Sequence, residues 1–236
     1  MEIHKPKPIH NWREFLKEYA IIVLGVVTAL AAEQGVEWLH WQGEVKAARQ
    51  AMHVEMAANN TSQFSRRIAV APCFARQAGE AERILDDLEV GRPPGRFANF
   101  RSSGNILIID SEWQSQRSAQ TLTHFPDEER ALLGRYYDQK VRFGDWADSE
   151  IAAWQELGAL RYPPKNIAAG DLMRLRTALG MVREQERAIV LNATRQLSLS
   201  RQLGVATVPY TQEEAEQFCA MDQNKYIQNA LSHARQ

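Results

Sequence analysis

The side chains that could do chemistry are few and dispersed. The histidines stand at His4, His10, His40, His53, His124 and His233, with no two close enough in sequence to make a ligand pair. Glu37-Trp38-Leu39-His40 has the Glu-x-x-His spacing that puts both side chains on one helical face, as in di-iron bundles. That chemistry requires a second such pair and two further carboxylates, and no other Glu-x-x-His occurs. There is no H-E-x-x-H, no C-x-x-C and no phosphate-cradling glycine loop. A G-x-S-x-G nucleophile elbow is also missing. No metal or cofactor is expected on these grounds, and an enzyme remains only as a scattered site without a motif. Two features are left. Cys73 and Cys219 are the two cysteines, and in an oxidising compartment an isolated pair bridges, whereas in a reducing one both stay thiols. Arg92, Arg96 and Arg101, interleaved with Phe97 and Phe100, could hold an anionic headgroup or ligand, against the plainer reading of a solvated loop pinned by two aromatics.

The element that must position all of this is the apolar stretch from Tyr19 to Trp41. Its strictly uncharged part, Tyr19 to Ala32, would cover about 21 Å as a helix, short of a bilayer core of about 30 Å. The flanks extend it. Trp12, Phe15 and Tyr19 precede the run, while Trp38 and Trp41 follow it, and such rings prefer the water–lipid interface. Trp12 to Trp38 would measure about 39 Å as a helix, close to headgroup-to-headgroup thickness. Lys17 can snorkel outward at one end, and Glu33 and Glu37 fall at the other interface. Lys5, Lys7, Arg13 and Lys17 lead the run, so the basic excess puts the N-terminus in the cytoplasm and the bulk of the chain outside. A signal peptide cleaved after Ala31 is the rival, since Ala29-Leu30-Ala31 has the A-x-A form. A soluble or peripheral helix is the third reading. The helical pattern running on through Val36, Leu39, Val45, Ala48, Met52 and Met56 favours an uncleaved anchor. Gly25 and Ala29 share a face at i, i+4, the small-xxx-small spacing by which membrane helices pair.

Beyond the anchor the pattern is helical throughout. The first long helix is expected to run towards Ile68, with a possible break at Asn59-Asn60-Thr61-Ser62, whose side chains compete for helical hydrogen bonds. Pro72 is expected to end that helix or open the next at its first turn. A helix from Cys73 to Leu88 is stopped by Gly91 and Pro93-Pro94. Ile106 to Ile109 reads as a stub of strand or an extended plug into the core. Ser111 with Gln114 has capping-box spacing for a helix continuing through Leu122. Pro126 with Asp127, Glu128 and Glu129 restarts a helix, lined by Leu132, Tyr136, Phe143, Ala147, Ile151 and Trp154, that should run until Tyr162-Pro163-Pro164. Further helices are expected from about Ala168 to Leu203 and from Thr211 onward, the last capped by Thr211. The sequons at Asn59 and Asn192 are discounted as chance.

Charge adds an exclusion. Beyond residue 41 there are 24 Lys plus Arg against 24 Asp plus Glu, which leaves no basic field for nucleic acid. With 44% hydrophobic and 24% charged residues, one globular domain with a real core is expected.

Some of these segments also carry a resemblance: Glu18, Gly25, Ala29-Leu30, Trp38 and Trp41; Cys73-Phe74-Ala75-Arg76; Glu112-Trp113-Gln114-Ser115 before Tyr136-Tyr137; and the run Leu172 to Leu191. Together they resemble uncharacterised bacterial single-span membrane proteins with a helical periplasmic domain of unknown function. The resemblance implies topology and an all-α class, and no mechanism.

The expected architecture is an N-terminal transmembrane helix continuing into an antiparallel helical bundle. Residues 1–18 would be a cytoplasmic tail, 19–41 the anchor and 42–236 a periplasmic domain on the bacterial inner membrane. The expected partners are the bilayer, a second copy through the membrane helix, and a membrane or periplasmic protein. The expected work is an interaction or scaffold module, with a small-molecule-sensing domain as the alternative.

Overall fold

The computed structural model describes residues 12–95, 97, 100 and 107–220. The chain is all-α, with no strand among the described residues. Helix α1 spans Trp12–Asn59, a π-helical turn Asn60–Ser65 follows, and α2 continues directly over Arg66–Glu89. The three form one uninterrupted 78-residue helix, about 117 Å along its axis. The expected break at Asn59–Ser62 is therefore a local widening and not an end. Pro72 neither ends nor opens a helix: it lies inside α2. Its ring forfeits one backbone hydrogen bond, at a typical interior cost of about 3 kcal/mol. Burial of Phe74 and Leu85, at about 1.5–3 kcal/mol each, is enough to hold the helix through it.

Helix α2 stops as expected at Gly91. Its φ of 68° is the left-handed conformation of a Schellman cap, with Arg92 N–H on Asp87 O and Gly91 N–H on Leu88 O. Residues 107–110 carry no regular structure, and Ile108 plugs into the core while Leu107 and Ile109 face out; Ile106 lies outside the described residues. Helix α3 is short, Ser111–Ser118. Its N-cap position is Asp110 and not Ser111, and it stops well before Leu122 because Gln120 turns left-handed at φ 60°. A 3-10 turn, Thr121–His124, leads to Pro126 and α4, Asp127–Tyr137. The single helix expected onward to Tyr162-Pro163-Pro164 is divided at Asp138-Gln139; α5 covers Lys140–Leu157, and a 3-10 turn, Gly158–Arg161, closes it. Helix α6 is Ala169–Gln202, ended by the second Schellman cap at Gly204. Helix α7 is Gln212–Ala220. There the expected cap is in place: Glu214 N–H donates to Thr211 Oγ1, and Thr211 N–H to the Glu214 carboxylate at 2.7 Å.

Helix α6 organises the domain, packing on both α2 and α5. It runs antiparallel to α2, as the pairs Asn60–Ser200, Glu82–Arg183 and Asp86–Arg176 show. The core divides into two apolar clusters. One gathers Val45, Met52, Met56, Phe64, Trp113, Tyr136, Phe143, Ile189 and Leu199 around the stem of α1. The other gathers Val70, Phe74, Leu85, Trp154, Leu160, Leu175 and Val182 between α2, α5 and α6.

Candidate functional site

The first candidate is the place where α1 reaches the domain. Residues 12–40 are all exposed, and Val45 is the first buried side chain. Trp12, Lys17, Tyr19 and Trp38, predicted to stand at the membrane interface, all lie on this exposed length. Trp41 is half-buried because it stacks on His124 of the 3-10 turn, ring centres 3.7 Å apart and planes within 14°. A groove forms at that junction, lined by Gln34, Glu37, Trp38, Gln42 and Val45 with the two stacked rings. Four residues on from Val45, Arg49 grips Glu129 of α4 through Nε and Nη2 and lies over the Phe125 ring. The stem is thus fastened to the domain within about three turns of leaving the exposed length. Glu37 and His40 are both exposed on this rod. Among the described residues no group of three or more His, Cys, Asp or Glu side chains could hold a metal ion.

The second candidate was missed by sequence reading. Arg67 of α2 bridges two carboxylates, Glu150 of α5 and Glu186 of α6, with one nitrogen, Nη2. Their side chains are 5%, 0% and 14% exposed. The Trp154 indole N–H points at Glu150 at 3.4 Å, and the guanidinium lies 4.5 Å from the Phe74 ring centre. The trio sits where the two apolar clusters meet. Phe64 and Val70 flank Arg67, Phe143 and Trp154 flank Glu150, and Ile189 and Val182 flank Glu186. Arg67 Nε and Nη1, Glu150 Oε2 and Glu186 Oε1 are buried without a donor–acceptor partner. Burial pushes the Glu186 carboxyl up to about 8, with Arg67 opposing and Glu150 adding to the rise. A signal did exist: the apolar stripe of α6 steps from Val182 to Ile189, and the intervening i+4 slot is Glu186.

The remaining predicted residues lie elsewhere on the chain. Cys73 and Cys219 are joined, Cα atoms 5.9 Å apart, which ties α7 to α2. Arg92 is paired with Asp87 at 2.8 Å. Arg96 and Arg101 lie outside the described residues. Phe97 is buried in the second cluster, and Phe100 packs against it with Arg161 over its ring. The two aromatics thus pin the described part of this loop to the core. Gly25 and Ala29 are exposed, and nothing lies within 4 Å of where a Gly25 Cβ would stand. Asn59 is buried and spends both ends of its amide on Ile109, so it is not free to carry a glycan.

Compared with known proteins, the chain matches no family model, no curated protein and no solved structure.

Proposed function

We propose that this chain is a single-span protein of the bacterial inner membrane that holds a helical interaction module on the periplasmic side. One observation carries the reading. Residues 12–40 form a wholly exposed helix, about 43 Å long at 1.5 Å per residue, which matches a bilayer with its headgroup layers at about 40–45 Å. Such a length of exposed Leu, Ile and Val has no stable place in water. The basic lead, Lys5 to Lys17, supports an N-terminus in the cytoplasm. Trp38, Trp41 and His124 then stand at the outer headgroup level, and the domain rests on the membrane through the 3-10 turn. Gly25 and Ala29 offer a face for a second copy of the span. The resemblance to bacterial single-span proteins points the same way. The module acts by contact with a membrane or periplasmic protein through its α-helical surface.

Fusing alkaline phosphatase, which is active only outside the cytoplasm, to the C-terminus tests the topology. High phosphatase activity in alkali-washed membranes is expected. Activity from a cytoplasmic reporter at the same position, or a mature chain beginning at Ala32 in the soluble fraction, overturns it.

A further inference from the structure

We infer that Glu150 and Glu186 form an internal proton-binding site: one exchangeable proton, held between their carboxyl groups beside Arg67, keeps the charged layer neutral and clamps the two apolar clusters together. The geometry supports it. Two carboxyl groups share a single guanidinium nitrogen, Arg67 Nη2, which brings them side by side. Two ionised carboxylates have only acceptors to offer one another, so that contact bonds only when one of them carries a proton. Glu150 Oε2 and Glu186 Oε1 are both buried without a partner, which leaves a place for a proton on either carboxyl group. With both ionised, the trio would hold one uncompensated negative charge in a largely buried layer, a costly state. With one proton the net charge is zero.

The charged groups acting on Glu186 are Arg67 from α2 and Glu150 from α5. The π-helical turn packed on α6 has no ionisable side chain, and α4, also packed on α6, contributes Tyr136, whose hydroxyl donates to Asn60 Oδ1. Arg67 stays charged throughout. The position of the site gives the proton leverage. Arg67 is two residues beyond the π-helical turn, in the one continuous helix that links the exposed rod to the second cluster. Loss of the proton therefore weakens the seam at the point where movement of the rod would enter the domain.

The sign follows from linkage. Above the ordinary carboxyl range the unfolded chain has released this proton, while the folded chain keeps it up to about 8. The native state then binds more protons, and stability falls as pH rises through that window. The unfolding constant should climb by up to about tenfold per pH unit, levelling above it. His53 acts oppositely. Burial lowers its pKa, with Arg49 lowering it further and Glu129 opposing, so it adds stability as pH rises through the imidazole range. The difference between wild type and Glu186→Gln isolates the carboxyl pair.

The test uses the full chain in detergent micelles. Infrared spectra at about pH 6, within the window set by these values, should show the carbonyl stretch of a buried protonated carboxyl, absent in E186Q. Urea unfolding from pH 5 to 9 should show the alkaline fall in wild type and lose it in E186Q. Hydrogen exchange, corrected for its intrinsic pH dependence, should rise first in peptides covering residues 64–70, 147–154 and 182–189. A wild type without the protonated band, or an unfolding profile that E186Q leaves unchanged, overturns the inference. Should E186Q not fold, the wild-type band decides alone.

Discussion

Glu55 shows how one buried acceptor can replace several local signals. Its carboxylate receives the Ser111 hydroxyl, the Glu112 backbone N–H and the Tyr137 hydroxyl, all within 2.9 Å. A glutamate on the stem of α1 thereby caps α3, which has no side-chain cap of its own. Burial, with Glu55 adding its charge, raises the Tyr137 phenol above its ordinary range and keeps it a donor. Glu55→Ala leaves that hydroxyl and the α3 end unpaired. A loss of about 2–4 kcal/mol is expected from urea unfolding, the range for breaking a buried charge-assisted network. A loss below about 0.5 kcal/mol, the size of an ordinary surface change, would show that water replaces it freely. The comparison with Thr211 is instructive. The Thr211–Glu214 cap was legible because donor and acceptor lie three residues apart. The Glu55 cap was not, because its partners lie more than fifty positions away and only tertiary packing selects them. Ser111 had the local spacing of a cap, and lost to that packing.

Among elements, α7 depends most on something outside itself. It has nine residues, too few to persist alone. Its hold is Ala215 in the second cluster, Phe218 against Phe74, and the bridge from Cys219 to Cys73. The bridge closes a separation of 146 residues, for which the chain-entropy account gives about 5 kcal/mol, and measured effects run nearer 2–4 kcal/mol. Reduction of the purified protein should lower its unfolding free energy by that smaller amount. Amide exchange should rise in α7 before it rises in α6. Equal urea midpoints with and without reductant would show that packing alone holds α7. The start of α7 was readable from Thr211 because caps are local. The failure at Pro72 is the complementary case. Local rules end a helix at proline, and the burial of Val70, Phe74 and Ala78 on either side outweighs them.

At the scale of the molecule, periodicity gave the all-α class and the exposed rod, since apolar spacing and a lack of charge are properties of contiguous sequence. It could not give the division of the core by Arg67, Glu150 and Glu186. Those three come from helices 83 and 119 positions apart, and a single charge within a stripe reads as solvated until its neighbours are known. The same partition makes a claim about independence. No residue from 12 to 40 is buried, and the first core contact is Val45. The rod therefore contributes nothing to either apolar cluster, and the domain should fold without it. A chain beginning at residue 42 is expected to be soluble, and its near-ultraviolet circular dichroism should match the full chain in detergent. Its unfolding free energy should agree within about 1 kcal/mol, because among the described aromatic contacts removed only the Trp41–His124 stack reaches the domain and such pairs contribute about 0.5–1.5 kcal/mol. Aggregation of the shortened chain, or a loss well beyond that stack, would mean that the rod is part of the folding unit rather than its tether.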